Sequence, residues 1–203
     1  RTVTMLCFGE KPLFTVEFGA AAHAAGGQSV SGDALDQFCD TSGRAQMLLC
    51  DGMGTGRAAA VDGQMAAKLT AQLLRAGFAA ESAARLVNVA LGLKGAEQEA
   101  GATLDLLTVD LYTGRAGLFK AGAAPSFLCR AGVVRTLDGA SLPMGVLPTV
   151  TGRSTALTLD VGDPVMMVSD GALCDGSAWL CDQLTLSPRL GQSPQQTAEA
   201  VAA

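Results

Sequence analysis

A chain of 203 residues, 49% hydrophobic and 16% charged, is long enough to bury a sizeable core and too apolar to read as disordered. One histidine and 4% aromatic content exclude a histidine-rich metal site and the stacking platforms of single-stranded nucleic-acid binders. A net charge of −5 argues against a phosphate-backbone binder, yet suits an acidic pocket that gathers divalent cations.

In chain order, the apolar run Val3–Phe8 and the partly alternating run from Leu13 predict a hairpin around Gly9–Pro12. Gly26, Gly27, Gln28 and Ser29 break the chain before VSGD, Val30 to Asp33. Residues 45–50, AQMLLC, form a short buried strand by length and apolarity, running straight into DGMGTG. Two helices are predicted next. The first spans about Gly56 to Ala76, packing through Ala60, Val61, Met65, Leu69, Leu73 and Leu74, with Gly77 as its stop. The second spans about Glu81 to Gln98, packing through Ala84, Leu86, Val87, Val89, Ala90 and Leu93, with Ser82 or a neighbour as its cap. After Gly101 the pattern turns to strands joined by short turns, and antiparallel meanders follow from that. Strands, two central helices and strands again give an α+β fold in layers, read as a single domain over residues 1–203.

The cysteines Cys7, Cys39, Cys50, Cys129, Cys174 and Cys181 form no C-x-x-C pair and read as small buried hydrophobes of a reducing compartment. No window reaches the roughly 18 apolar residues that span a bilayer, and no signal peptide is visible. The chain opens at Arg1 and stops inside a helical run, so it reads as a fragment of a longer protein. Any membrane anchor or regulatory segment would then lie outside it.

Three acidic residues lie beside a glycine next to apolar runs: Asp33 in VSGDAL, Asp51 in LLCDGMGTG and Asp170 in MMVSDGAL. A lone Asp-Gly is ordinarily a turn. Three of them at strand ends suggest carboxylates gathered at a sheet edge, a donor set that suits magnesium or manganese. Asp110, Asp138, Asp160 and Asp163 fit plain turns. DGMGTG matches neither the P-loop nor the G-x-G-x-x-G order. Thr103 and Asp105 read as strand packing more than as site residues, Lys120 and Arg57 as solvated charges, and His23 as a surface or partly buried imidazole. Met53, Met144, Met166 and Met167 read as core or loop packing.

DGMGTGRAA, GATLDLLTVDL, KAGAAPSFL, LPMGV and GDPVMMVSDG, in that order, resemble the stage II sporulation protein E branch of the PPM, or protein phosphatase 2C-like, superfamily over about residues 30–175. The resemblance implies two packed antiparallel sheets flanked by helices, an α-β-β-α sandwich. It implies a metal-dependent serine/threonine phosphatase with two Mn2+ or Mg2+ ions. Asp51 would bridge the two, Asp170 would ligate one, and Asp33 and the Gly52 carbonyl would serve the other. It further implies an anti-sigma-factor antagonist as phosphoprotein substrate in bacterial sporulation control, in the cytoplasm. A homodimer is left open. Members carry a further Asp ligand near the C-terminus, and no such motif follows Pro194, so a final ligand and strand are expected to be missing. Distant members also have an acidic residue where this chain has Gly32.

Two other readings stay open: a GHKL-type ATPase or kinase, since D-x-G-x-G also marks a nucleotide box, and a non-catalytic module that keeps the fold without the metals.

Overall fold

The chain is described here by a computed structural model covering residues 9–24, 30–94, 100–174 and 176–202. Alternation dictates its layers. Strands β1 (Asp33–Cys39), β2 (Arg44–Asp51), β3 (Leu104–Asp110) and β4 (Arg115–Ala121) pair consecutively and antiparallel, and β7 (Arg153–Thr158) joins β4 at the edge. Leu48, Cys50, Leu104, Leu106, Phe119 and Ala121 project from one face of this five-stranded sheet onto helices α1 (Gly56–Arg75) and α2 (Ala80–Lys94). The intervening residues Ala45, Leu107, Val109, Ala116 and Leu118 project from the other face. There they meet Leu128 and Leu137 of the smaller sheet, whose order is β6 (Val133–Leu137), β5 (Ser126–Arg130), β8 (Val165–Met166). The outer face of that sheet, through Phe127 and Cys129, packs on Leu180 and Leu184 of α3 (Ala178–Arg189), with Val201 of α4 (Pro194–Ala202) beside them. Four layers result, α-β-β-α, as the sequence resemblance implies.

The β1–β2 hairpin is set by its turn. Asp40 Oδ1 accepts from the Ser42 and Arg44 N–H groups and from Ser42 Oγ, and Gly43 adopts φ 77°. Burial would push the Asp40 carboxyl up, but these bonds and one from Gln46 hold it below the usual range. The register that follows places Asp33 directly opposite Asp51. At the end of α1, Gly77 at φ 89° lets its own N–H reach Leu74 O and the Phe78 N–H reach Leu73 O, closing the helix where the sequence places its stop.

Several expectations shift. Val3–Phe8 and 26–29 lie outside the described residues, as do 95–98 at the predicted end of the second helix. The run from Leu13 forms no strand: Leu13 and Phe14 N–H groups both donate to Leu111 O, and Phe14, Val16 and Phe18 pack as extended chain against the inter-sheet core. Helix α1 buries Ala60 and Leu74 and packs Met65, Leu69 and Leu73 against the core as the spacing predicts, adds Ala59, Gly63, Ala66, Ala67 and Ala71, and leaves Val61 exposed. Helix α2 buries Ala83, Ala84, Val87, Asn88 and Leu91, leaving Leu86, Val89 and Leu93 in solvent. Ser82 lies inside the first turn, where its Oγ accepts from Arg85. The five described cysteines are free; Cys50 and Cys129 are buried, whereas Cys39 and Cys174 are exposed and so do not act as core hydrophobes. Met144 is fully buried and Met53 half-exposed.

Candidate metal centre

The inner face of the large sheet ends in carboxylates. Asp51 closes β2 and Asp33 opens β1, so the glycine precedes the strand in one case and follows it in the other. The backbone of Asp51 is fixed from the neighbouring strand: its N–H donates to Thr103 Oγ1 at 3.0 Å, and its carbonyl accepts from the Thr103 N–H at 2.8 Å. The next residue, Gly52, donates to Gly32 O at 3.2 Å. A Cβ on Gly52 would lie 1.8 Å from Ala59 O, so only glycine lets α1 sit this close beside Asp51. A Cβ on Gly32 would lie 3.2 Å from Asp51 Oδ1, leaving little room there for the acidic residue of distant members.

Asp170 arrives from the other sheet. It opens a 3-10 helix, Asp170–Leu173, that follows β8, and the preceding Ser169 Oγ donates to Asp33 Oδ2 at 2.9 Å. Three elements thus deliver three carboxylates to one end of the space between the sheets. Burial, then the charges of Asp33 and Asp170, then hydrogen bonds shared with both, push the Asp51 carboxyl up to about 6. No ion pair among the described residues involves any of the three.

This donor set fits a divalent cation. All its atoms are hard oxygens, and the raised Asp51 marks uncompensated like charge that a cation would relieve. Among the described residues, no three Asp, Glu, His or Cys side chains are gathered as a ready metal cluster.

Beside Asp51 opens a cavity of about 150 Å³, lined also by Thr103, Asp105, Gly122–Ala124, Ser169 and Asp170. Thr103 and Asp105 therefore border the centre, contrary to the packing role expected of them. Lys120 is not a solvated charge either. It is 2% exposed, and its Nζ donates to Asp105 Oδ2 at 2.6 Å and to Ser126 Oγ at 2.7 Å. The cause is register: Lys120 lies directly across from Asp105 on the inner face, under the second sheet. Burial pushes the Asp105 carboxyl up, against the pull of Lys120 and Ser126. Burial, then Asp105 and Asp51, likewise push the Cys50 thiol up, so both carboxylates act on it. Arg57 is exposed as expected, and His23 is an exposed imidazole whose Nδ1 meets Ala202 O.

Two packed antiparallel sheets between helical layers, with carboxylates at one end of the interlayer, define the PP2C-type serine/threonine phosphatase fold. The structure superposes on the PP2C phosphatase domain with a fragment of the regulatory domain of SpoIIE from Bacillus subtilis, with a TM-score of 0.79 and 26% identity, covering 94% of this chain and 58% of that one. The Streptococcus agalactiae serine/threonine phosphatase shares the fold with a TM-score of 0.74 at 15% identity, over 91% of this chain and 90% of that one.

Residues 41–203 match the stage II sporulation protein E (SpoIIE) family, and the chain belongs to it. It is 31% identical over 166 residues to stage II sporulation protein E of Bacillus subtilis (strain 168), covering 82% of this chain and 20% of that protein. It is 30% identical over 164 residues to the Priestia megaterium protein, covering 81% of this chain and 28% of that one. The chain thus spans between a fifth and under a third of these relatives. The family match includes Asp51 and Asp170 and begins after Asp33. Among the described residues no helix is long and apolar enough to cross a membrane.

Proposed function

We propose that the chain is a single catalytic domain that hydrolyses phosphoserine or phosphothreonine on a protein, using two Mn2+ or Mg2+ ions held by Asp33, Asp51, Asp170 and the Gly52 carbonyl. The observation that carries this is the convergence of Asp33, Asp51 and Asp170 from both sheets, with Asp51 raised by its two neighbours. When bound, divalent cations supply Lewis-acid activation of water and offset the charge of the phosphoryl group. The protein's part is placement. Asp51, pinned by Thr103 on both its N–H and its carbonyl, would hold the central position between the cations. Asp33, oriented by Ser169, and Asp170 would hold their flanks. The substrate is proposed to be a phosphorylated anti-sigma-factor antagonist in sporulation control, on the strength of family membership.

A GHKL-type ATPase needs an Asn-bearing helix ahead of its D-x-G-x-G box, whereas strands β1 and β2 directly precede that box here. Phosphate release from a phosphoserine protein should require Mn2+ or Mg2+, and Asp51→Asn or Asp170→Asn should lower it by three orders of magnitude or more, a loss of roughly 4 kcal/mol in transition-state stabilisation. Full activity in either variant would overturn the assignment.

A further inference from the structure

The buried trio Asp105, Lys120 and Ser126 is more than a tie between the sheets. Asp105 is 1% exposed, yet among the described residues one of its oxygens alone finds partners: Oδ2 accepts from both Lys120 Nζ and Ser126 Oγ, while Oδ1 is buried with no hydrogen-bond partner there. A buried carboxylate oxygen left unsatisfied is costly, and such a group calls for a partner. Asp105 lines the same cavity as Asp51 and Asp170. Register explains how it arrives there. Asp105 faces Leu49 across β2–β3, and Leu49 and Asp51 are alternate residues of one strand, so both carboxylates share the inner face.

We propose that Asp105 Oδ1 is a further oxygen donor to the divalent-cation centre, and that Lys120 and Ser126 are the positioning residues that aim it. This rests on the metal-dependent reading of the site. The chemistry favours the pair over a bare fourth carboxylate. Asp105 with Lys120 sums to zero charge, so the donor is added without eroding the attraction of the loaded centre for an anionic phosphoryl group. Two donors on Oδ2 also fix the carboxylate plane, as outer partners of metal ligands do.

The test is Mn2+ binding to the full-length protein, read by calorimetry and by the rise in melting temperature that Mn2+ produces, with no turnover involved. Asp105→Asn should weaken Mn2+ binding by roughly ten- to a hundred-fold and shrink that rise. Because Asp105→Asn leaves Lys120 buried and unpaired, the double variant Asp105→Leu/Lys120→Met is measured beside it. Replacing a buried ion pair by apolar side chains of similar volume is often neutral or stabilising, so the double variant should fold, melt no lower than wild type without metal, and still bind Mn2+ more weakly. Wild-type affinity in the double variant would overturn the proposal and leave the pair as a structural tie. Absence of Mn2+ binding by the wild type itself would overturn the metal-dependent reading, and this proposal with it; loss of binding in Asp51→Asn alone would keep the reading and reject the role of Asp105.

Discussion

Asp51 closes β2 with a carboxyl that titrates near 6 in the fold against an ordinary value of 3.8. Between those values the folded protein holds a proton that the unfolded chain has released. Metal-free stability therefore falls as pH rises from about 4 to about 6 and levels off above. Asp51→Asn should abolish that slope and melt higher than wild type at pH 7 without metal; an unchanged slope in a pH series of melting curves would contradict the origin given for the shift. The same proton competes with a cation, so Mn2+ affinity should decline below about pH 6. Asp51 and Asp170 were legible in the sequence because an apolar run meets an Asp-Gly step at each. Asp105 and Lys120 were not. A charged residue alternating with apolar ones in a strand reads as the solvent face, and only the covering second sheet makes that face interior.

At the scale of elements, the helices show what apolar counting misses. Spacing predicts packing for Val61 of α1 and for Leu86, Val89 and Leu93 of α2, which stay exposed, and passes over the small residues Ala59, Gly63, Ala66 and Ala83, which are buried. Close backbone approach is the reason: a Cβ on Gly63 would meet Gly32 O at 2.2 Å. Gly63→Ala should cost about 2–3 kcal/mol through overpacking despite its better helix propensity. Among the described residues nothing lies within 4 Å of where a Cβ on Gly92 in α2 would stand, so Gly92→Ala should gain up to about 1 kcal/mol. Urea denaturation of the two variants checks the opposed signs. Strand β1 went unread for a different reason. DALDQFC carries two aspartates and a glutamine, residues that pair well here only because β2 is already beside them. The strands after Gly101 were legible, each short apolar run being bounded by its own turn.

For the whole molecule, the two sheets meet at polar as well as apolar points. Ser169 reaches Asp33, and Lys120 reaches Ser126, so the centre straddles the seam between sheets. A cation held there would tie both sides. Mn2+ should slow amide hydrogen exchange around Asp33–Ala34 and around Ser169–Gly171 together; protection confined to one segment would count against a shared centre.

The turn at Asp40–Gly43 stands at the opposite end of the β1–β2 hairpin from the carboxylates, yet it counts the residues that bring Asp33 opposite Asp51. Adding or removing one residue there would slide the pairing by a step and turn Asp33 toward the helices. Homologous sequences should therefore vary the identities of residues 41 and 42 freely while conserving the length of the loop. A deletion at this remote surface turn should silence the centre as surely as a substitution within it.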